Sequence, residues 1–121
     1  MGYTLWHENL ERLVRVVEDK LAAADAVVGR YSRDDYQGWV ARRRSAEAAL
    51  VEHFTAAEDA RFSRSGDAES IRMAGIRSSS TQGVTAALRN WRTTAQLKLV
   101  QADPINLQGS GPAPIEPREA P

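Results

Sequence analysis

SRDDYQGWVARRRSAEAALVEHFTAAEDARFSR, residues 32–64, is the stretch whose reading decides the fold. Ser32 suits an N-cap, because its hydroxyl can accept from backbone N–H groups that a first helical turn leaves free. Asp35, three residues on, brings a carboxylate to the positive end of the helix dipole. Trp39, Arg43, Ala46, Leu50, His53, Ala57 and Ala60 then recur at spacings of three and four, the stripe of one helical face. Val40, Val51 and Phe54 widen that stripe. No proline interrupts it, and Gly38 is the one weak position, costing about 1 kcal/mol against alanine. The spacing predicts a single helix over 32–64, a rod of roughly 45 Å at about 1.5 Å per residue. A rod that long needs an apolar partner along its length.

The preceding segment supplies part of that partner. Thr4 can cap a helix in which Trp6, Leu10, Leu13, Val17, Leu21, Ala24 and Val28 share a face. Gly29 can end it, since glycine takes the left-handed conformation without a Cβ clash. The short link Gly29-Arg30-Tyr31 makes the two helices antiparallel neighbours. This hairpin leaves apolar surface uncovered, so a third helix or a homo-oligomer is expected.

After residues 1–64, the chain divides into 65–101, a connector and third helix, and 102–121, an extended tail. Arg64-Ser65-Gly66-Asp67 reads as a turn. Asp67 to Ala74 (DAESIRMA) is ambiguous: Ile71 and Met73 alternate as in an edge strand, while Asp67 could equally cap two helical turns. Ser78, Ser79, Ser80 and Thr81 are overlapping candidate N-caps for a helix carrying Val84, Leu88, Trp91, Ala95 and Leu99 on one face. That helix stops before Asp103-Pro104. All five prolines lie at 104, 112, 114, 117 and 121, so the tail has no core of its own. The expected fold is all-α: a long antiparallel hairpin, a third amphipathic helix and an extended proline-rich tail.

The composition excludes several functions. Sixteen basic residues balance sixteen acidic ones, and there is no cysteine, hence no disulfide and no thiolate chemistry. No apolar run approaches the ~20 residues of a membrane span, and no secretory leader is visible, so no membrane role and a cytoplasmic location are expected. His7 and His53 have no ligand-like partner at i+4, so neither a metal nor another cofactor is expected. Without a nucleophile–base pair or a glycine-rich phosphate loop, no enzyme is expected. Trp6, Trp39 and Trp91, one per helix, read as core anchors. Arg42-Arg43-Arg44 points around most of a helical turn and reads as solvated.

Charge is uneven along the chain. Residues 65–101 carry Arg72, Arg77, Arg89, Arg92 and Lys98 against Asp67 and Glu69, while residues 102–121 carry Arg118 against Asp103, Glu116 and Glu119. The stretch Ala74-Gly75-Ile76-Arg77-Ser78-Ser79-Ser80-Thr81, with Val84 and Leu88, resembles the turn and recognition helix of a helix-turn-helix. That resemblance implies nucleic-acid contact by Arg72, Arg77, Ser78, Ser79, Ser80, Thr81, Arg89 and Arg92. Pro104, Ile105, Leu107, Pro112, Pro114 and Ile115 are the candidate residues of a tail that binds a protein partner. The hairpin, the 74–88 pattern and the tail together resemble the small terminase subunits of tailed bacteriophages. The resemblance implies a non-enzymatic oligomeric adaptor in DNA packaging or virion assembly. The competing expectation is a small helix-turn-helix regulator that dimerises through the hairpin.

Overall fold

The computed structural model describes residues 2–101. Element order is α1 (Gly2–Val28), α2 (Tyr36–Glu58), β1 (Arg61–Ser65), β2 (Ala68–Met73), β3 (Ile76–Ser80) and α3 (Val84–Gln101). The protein is therefore α+β, and the expected all-α class is overturned by a three-stranded antiparallel sheet in the order β1-β2-β3. The tail residues Pro104, Ile105, Leu107, Pro112, Pro114 and Ile115 lie outside the described residues.

The error begins where the second helix was expected to run on to Arg64. It starts at Tyr36 rather than after Ser32, with Asp35 at the N-cap, and it stops at Glu58 because Asp59 turns left-handed at φ 56°. Ala60 N–H then bonds back to Phe54 O at 3.0 Å, closing the last turn. Aspartate visits this conformation more readily than most residues, yet it carries no glycine-like signal in sequence. At the other end, Gly38 has a positive reason to be glycine. The Asp35 carboxylate lies where a Cβ would stand, and Arg42 holds that carboxylate at 3.1 Å.

Two tight hairpins build the sheet. Gly66-Asp67 joins β1 to β2, with Ser65 opposite Ala68, and Ala74-Gly75 joins β2 to β3, with Met73 opposite Ile76. Both central residues of the second turn have positive φ, Ala74 at 54° and Gly75 at 77°, which is the type I′ geometry whose twist suits a hairpin. Alanine there bears a Cβ clash. Ala74→Asn should therefore stabilise the fold by roughly 0.5–1 kcal/mol, since asparagine is favoured at this position. Urea unfolding checks this, and an unchanged midpoint would mean the turn is not I′.

The sheet's inner face carries Phe62, Ile71, Met73 and Ile76, with Ser78 and Ser80 half-buried beside them. α3 lies against β3 and β2, and also against α1. Arg89 to Asp25 (3.5 Å) and Arg92 to Glu18 (3.6 Å) show that α3 runs antiparallel to α1. One core results, joining Leu10, Leu13, Val17, Leu50, Phe54, Ile71, Met73, Leu88 and Trp91. Among the tryptophans only Trp91 is fully buried. Trp6 is partly covered, and Trp39 lies in an aromatic corner at the α1–α2 turn, not in the core as expected.

One ion pair ties the hairpin ends together. Arg12 donates to both Glu58 oxygens, at 3.0 and 2.8 Å. The bond from Arg12 holds the Glu58 carboxyl below its ordinary value, and the same bond raises Arg12. For a carboxylate with a depressed folded pKa, the stabilisation is present above the unfolded pKa and fades as pH falls through the lower folded one. Glu58→Gln should thus cost at most about 1 kcal/mol at neutral pH, because Arg12 is half exposed to solvent, and nothing under strong acid. Unfolding midpoints at neutral and strongly acidic pH test this; an equal loss at both would contradict it.

Candidate nucleic-acid interface

The outer face of the sheet follows from register alone. Side chains alternate across a strand, and partners opposite one another share a face. Arg61 is opposite Arg72, and Arg72 is opposite Arg77. The next row is Ser63, Ser70 and Ser79. Neighbouring strands lie about 4.8 Å apart, so three guanidinium stems cross the sheet within about 10 Å. Ser65 and Ala68 complete this face, which holds no carboxylate and no aromatic ring.

Like charges directly opposite each other destabilise a sheet. Six other arginines are paired: Arg12 with Glu58, Arg42 with Asp35, Arg43 with Glu47, Arg64 with Glu69, Arg89 with Asp25 and Arg92 with Glu18. Arg61, Arg72 and Arg77 have neither a side-chain hydrogen bond nor an ion pair among the described residues, and all three are exposed. Arg15, Arg30, Arg33 and Arg44 are also unpaired, but they stand on helices or on the α1–α2 link, not across a strand from one another. Arg61, Ser63, Ser70, Arg72 and Arg77 line a depression of about 430 Å³, and Ser70 at its floor is 6 % exposed. Three cations beside three hydroxyls form a surface that accepts anionic oxygens: guanidinium forks bond phosphate bidentately, and hydroxyls donate to it.

The expected nucleic-acid residues separate. Arg72, Arg77 and Ser79 come together on the outer face. Ser78 and Ser80 point inward, and Thr81 lies in the turn after β3. Ser80 Oγ accepts from Gln82 N–H at 2.9 Å, so the serines are strand and turn residues and not the N-caps of a recognition helix. Arg89 and Arg92 are on α3, engaged with α1. Arg61 belongs to the row although the sequence reading left it at the end of a helix. Two-residue hairpins at Gly66-Asp67 and Ala74-Gly75 are the signal that aligns all three arginines.

Elsewhere the structure offers little for chemistry. Among the described residues, no group of three or more His, Cys, Asp or Glu side chains could hold a metal ion. No helix of the described residues is long and apolar enough to cross a membrane. No family model, curated protein or solved structure matches the chain. Fold and surface thus define an α+β protein with a strongly basic open sheet face.

Proposed function

We propose that this protein is a non-enzymatic assembly adaptor that lies on the phosphate backbone of nucleic acid through the outer face of its sheet. The row Arg61–Arg72–Arg77 carries the reading. A folded chain with no net charge keeps three unpaired arginines opposite one another, against their mutual repulsion. A polyanion offsets that cost on binding. Duplex is the preferred form, because the face lacks the aromatic rings on which single-stranded bases stack. It also lacks Asn, Gln, Asp and Glu, which leaves the arginine forks as its base-reading groups besides the serines, and those forks bond phosphate regardless of sequence. The hairpin and the proline-rich residues 102–121 are assigned to protein contacts, in a homo-oligomer of the kind that DNA packaging or particle assembly uses. The helix-turn-helix regulator has no comparable support, since Ala74–Ser80 is a hairpin turn and a strand.

Arg72→Gln tests this reading, because Arg72 sits in the middle of the row on the central strand. Fluorescence anisotropy with two duplexes of unrelated sequence should show weaker binding to both by a similar factor. Unchanged binding at low salt would overturn the assignment. A loss confined to one duplex would replace backbone contact with base readout.

A further inference from the structure

We infer that the acidic segment Glu116–Glu119 of this same chain is a tethered ligand of the Arg61–Arg72–Arg77 row, one that a duplex displaces. The inference rests on the reading of that row as the nucleic-acid face. The place where α3 ends carries the first part of the argument. Gln101, its last residue, lines one cavity with Ala74, Gly75 and Ile76 of the β2–β3 hairpin. Arg77 follows Ile76 directly, and Arg72 stands opposite Arg77. The chain thus leaves α3 at the end of the sheet where the row lies. Fifteen residues lead from Gln101 to Glu116, a reach of about 46 Å in polyproline-II geometry. The row is only about 10 Å wide. Rounding the β2–β3 turn to the outer face is well within that reach.

Charge and spacing carry the second part. Residues 102–121 hold Asp103, Glu116 and Glu119 against Arg118, a net of −2, while the row offers three cations on a face with no carboxylate. Pro117 fixes its own φ and biases Glu116 toward extended backbone. In polyproline-II geometry, residues three apart share one side and stand about 9 Å from each other. Glu116 and Glu119 are three apart, and Arg118 falls on another side. Their separation matches that of Arg61 and Arg77, the two ends of the row. Each exposed ion pair of this kind is weak, but the tether sets an effective concentration on the order of millimolar. A duplex, with its continuous phosphates, therefore displaces the segment. Displacement frees the proline-rich residues for the protein contacts assigned to them, so partner capture follows nucleic-acid binding.

Two measurements on the full chain test this. The first compares Glu116→Gln plus Glu119→Gln with Glu8→Gln plus Glu52→Gln, which removes the same charge from exposed positions on α1 and α2. Coverage of the row for about two-thirds of the time lowers apparent affinity about threefold, so the tail variant should bind duplex about threefold more tightly at low salt. The helix variant should gain far less. Equal binding by the tail variant and the wild type, or equal gains in the two variants, would overturn the proposal. The second measurement uses a nitroxide on Ala120→Cys, in a chain with no native cysteine. Without nucleic acid, the amide signals of Arg61, Arg72 and Arg77 should lose more than half their intensity, and those of the Gly29-Arg30-Tyr31 link far less. Adding duplex should restore them. Loss at the row in isotope-labelled chain mixed with separate nitroxide-bearing chain would assign the contact to a neighbouring copy and overturn the proposal, as would uniform weak loss throughout. No loss at the row, while Arg72→Gln still weakens duplex binding, refutes the tail contact alone.

Discussion

Replacing Trp91 by alanine is expected to remove about 3–5 kcal/mol of folding stability, the largest single loss in the molecule. Trp91 is fully buried on α3, and its indole N–H donates to the Met73 carbonyl of β2 at 3.0 Å. The substitution therefore empties the largest buried side-chain volume and also removes one of the two donors to the Met73 carbonyl. Domains of this size are stable by only about 5–15 kcal/mol, so the variant should sit near the edge of folding at ambient temperature. Trp91→Phe separates the two contributions. It keeps most of the ring volume but removes the indole donor, leaving the Met73 carbonyl with its turn bond to Ile76 alone, for an expected loss of about 1–3 kcal/mol. Urea unfolding monitored by circular dichroism measures both. A loss below about 1 kcal/mol for Trp91→Ala would mean that α3 is not anchored on the sheet as described.

The second large effect is on binding. Changing Arg61, Arg72 and Arg77 together to glutamine should abolish duplex binding at physiological salt, because all three phosphate contacts of the face disappear. The same change should raise stability. Two like-charged cross-strand pairs are removed, each destabilising by a few tenths of a kcal/mol up to about 1. Opposite signs for binding and stability discriminate between the two roles the row could play. If the arginines served the fold, the triple variant would melt earlier; if they serve a polyanionic partner, it melts later and binds nothing. Thermal melting and anisotropy on one preparation give both readouts.

The helices were legible because their faces repeat apolar residues at helical spacing. Leu10, Leu13, Val17, Leu21 and Ala24 of α1 are all buried, as are Val84, Leu88, Trp91 and Ala95 of α3. The sheet was not legible, for local reasons. Asp59 bends the chain without a glycine to mark it, and Ala74 takes a positive φ that alanine rarely adopts. β3 is Ile-Arg-Ser-Ser-Ser, which offers one apolar residue where a half-buried strand usually offers two or three. Its serines therefore read as helix caps. Ile71 and Met73 did alternate, but six residues could not distinguish a strand from two turns of helix. The site was half visible for the same reason. The helix-turn-helix resemblance, with the local positive charge, singled out Arg72 and Arg77, while Arg61 joins them only through the register of two hairpins. Arg89 and Arg92 drew notice by charge too, although folding engages them with Asp25 and Glu18.

The salt dependence of duplex binding tests the central claim most directly. Three phosphate contacts on a duplex give a slope of log K against log salt of about −2.7, a loss of roughly 40-fold between 50 and 200 mM. The wild-type chain should show that slope on duplexes of unrelated sequence, and Arg72→Gln should make it shallower by about 0.9. A slope near zero, or one that is as steep in the triple glutamine variant as in the wild type, would show that the sheet face is not where nucleic acid binds.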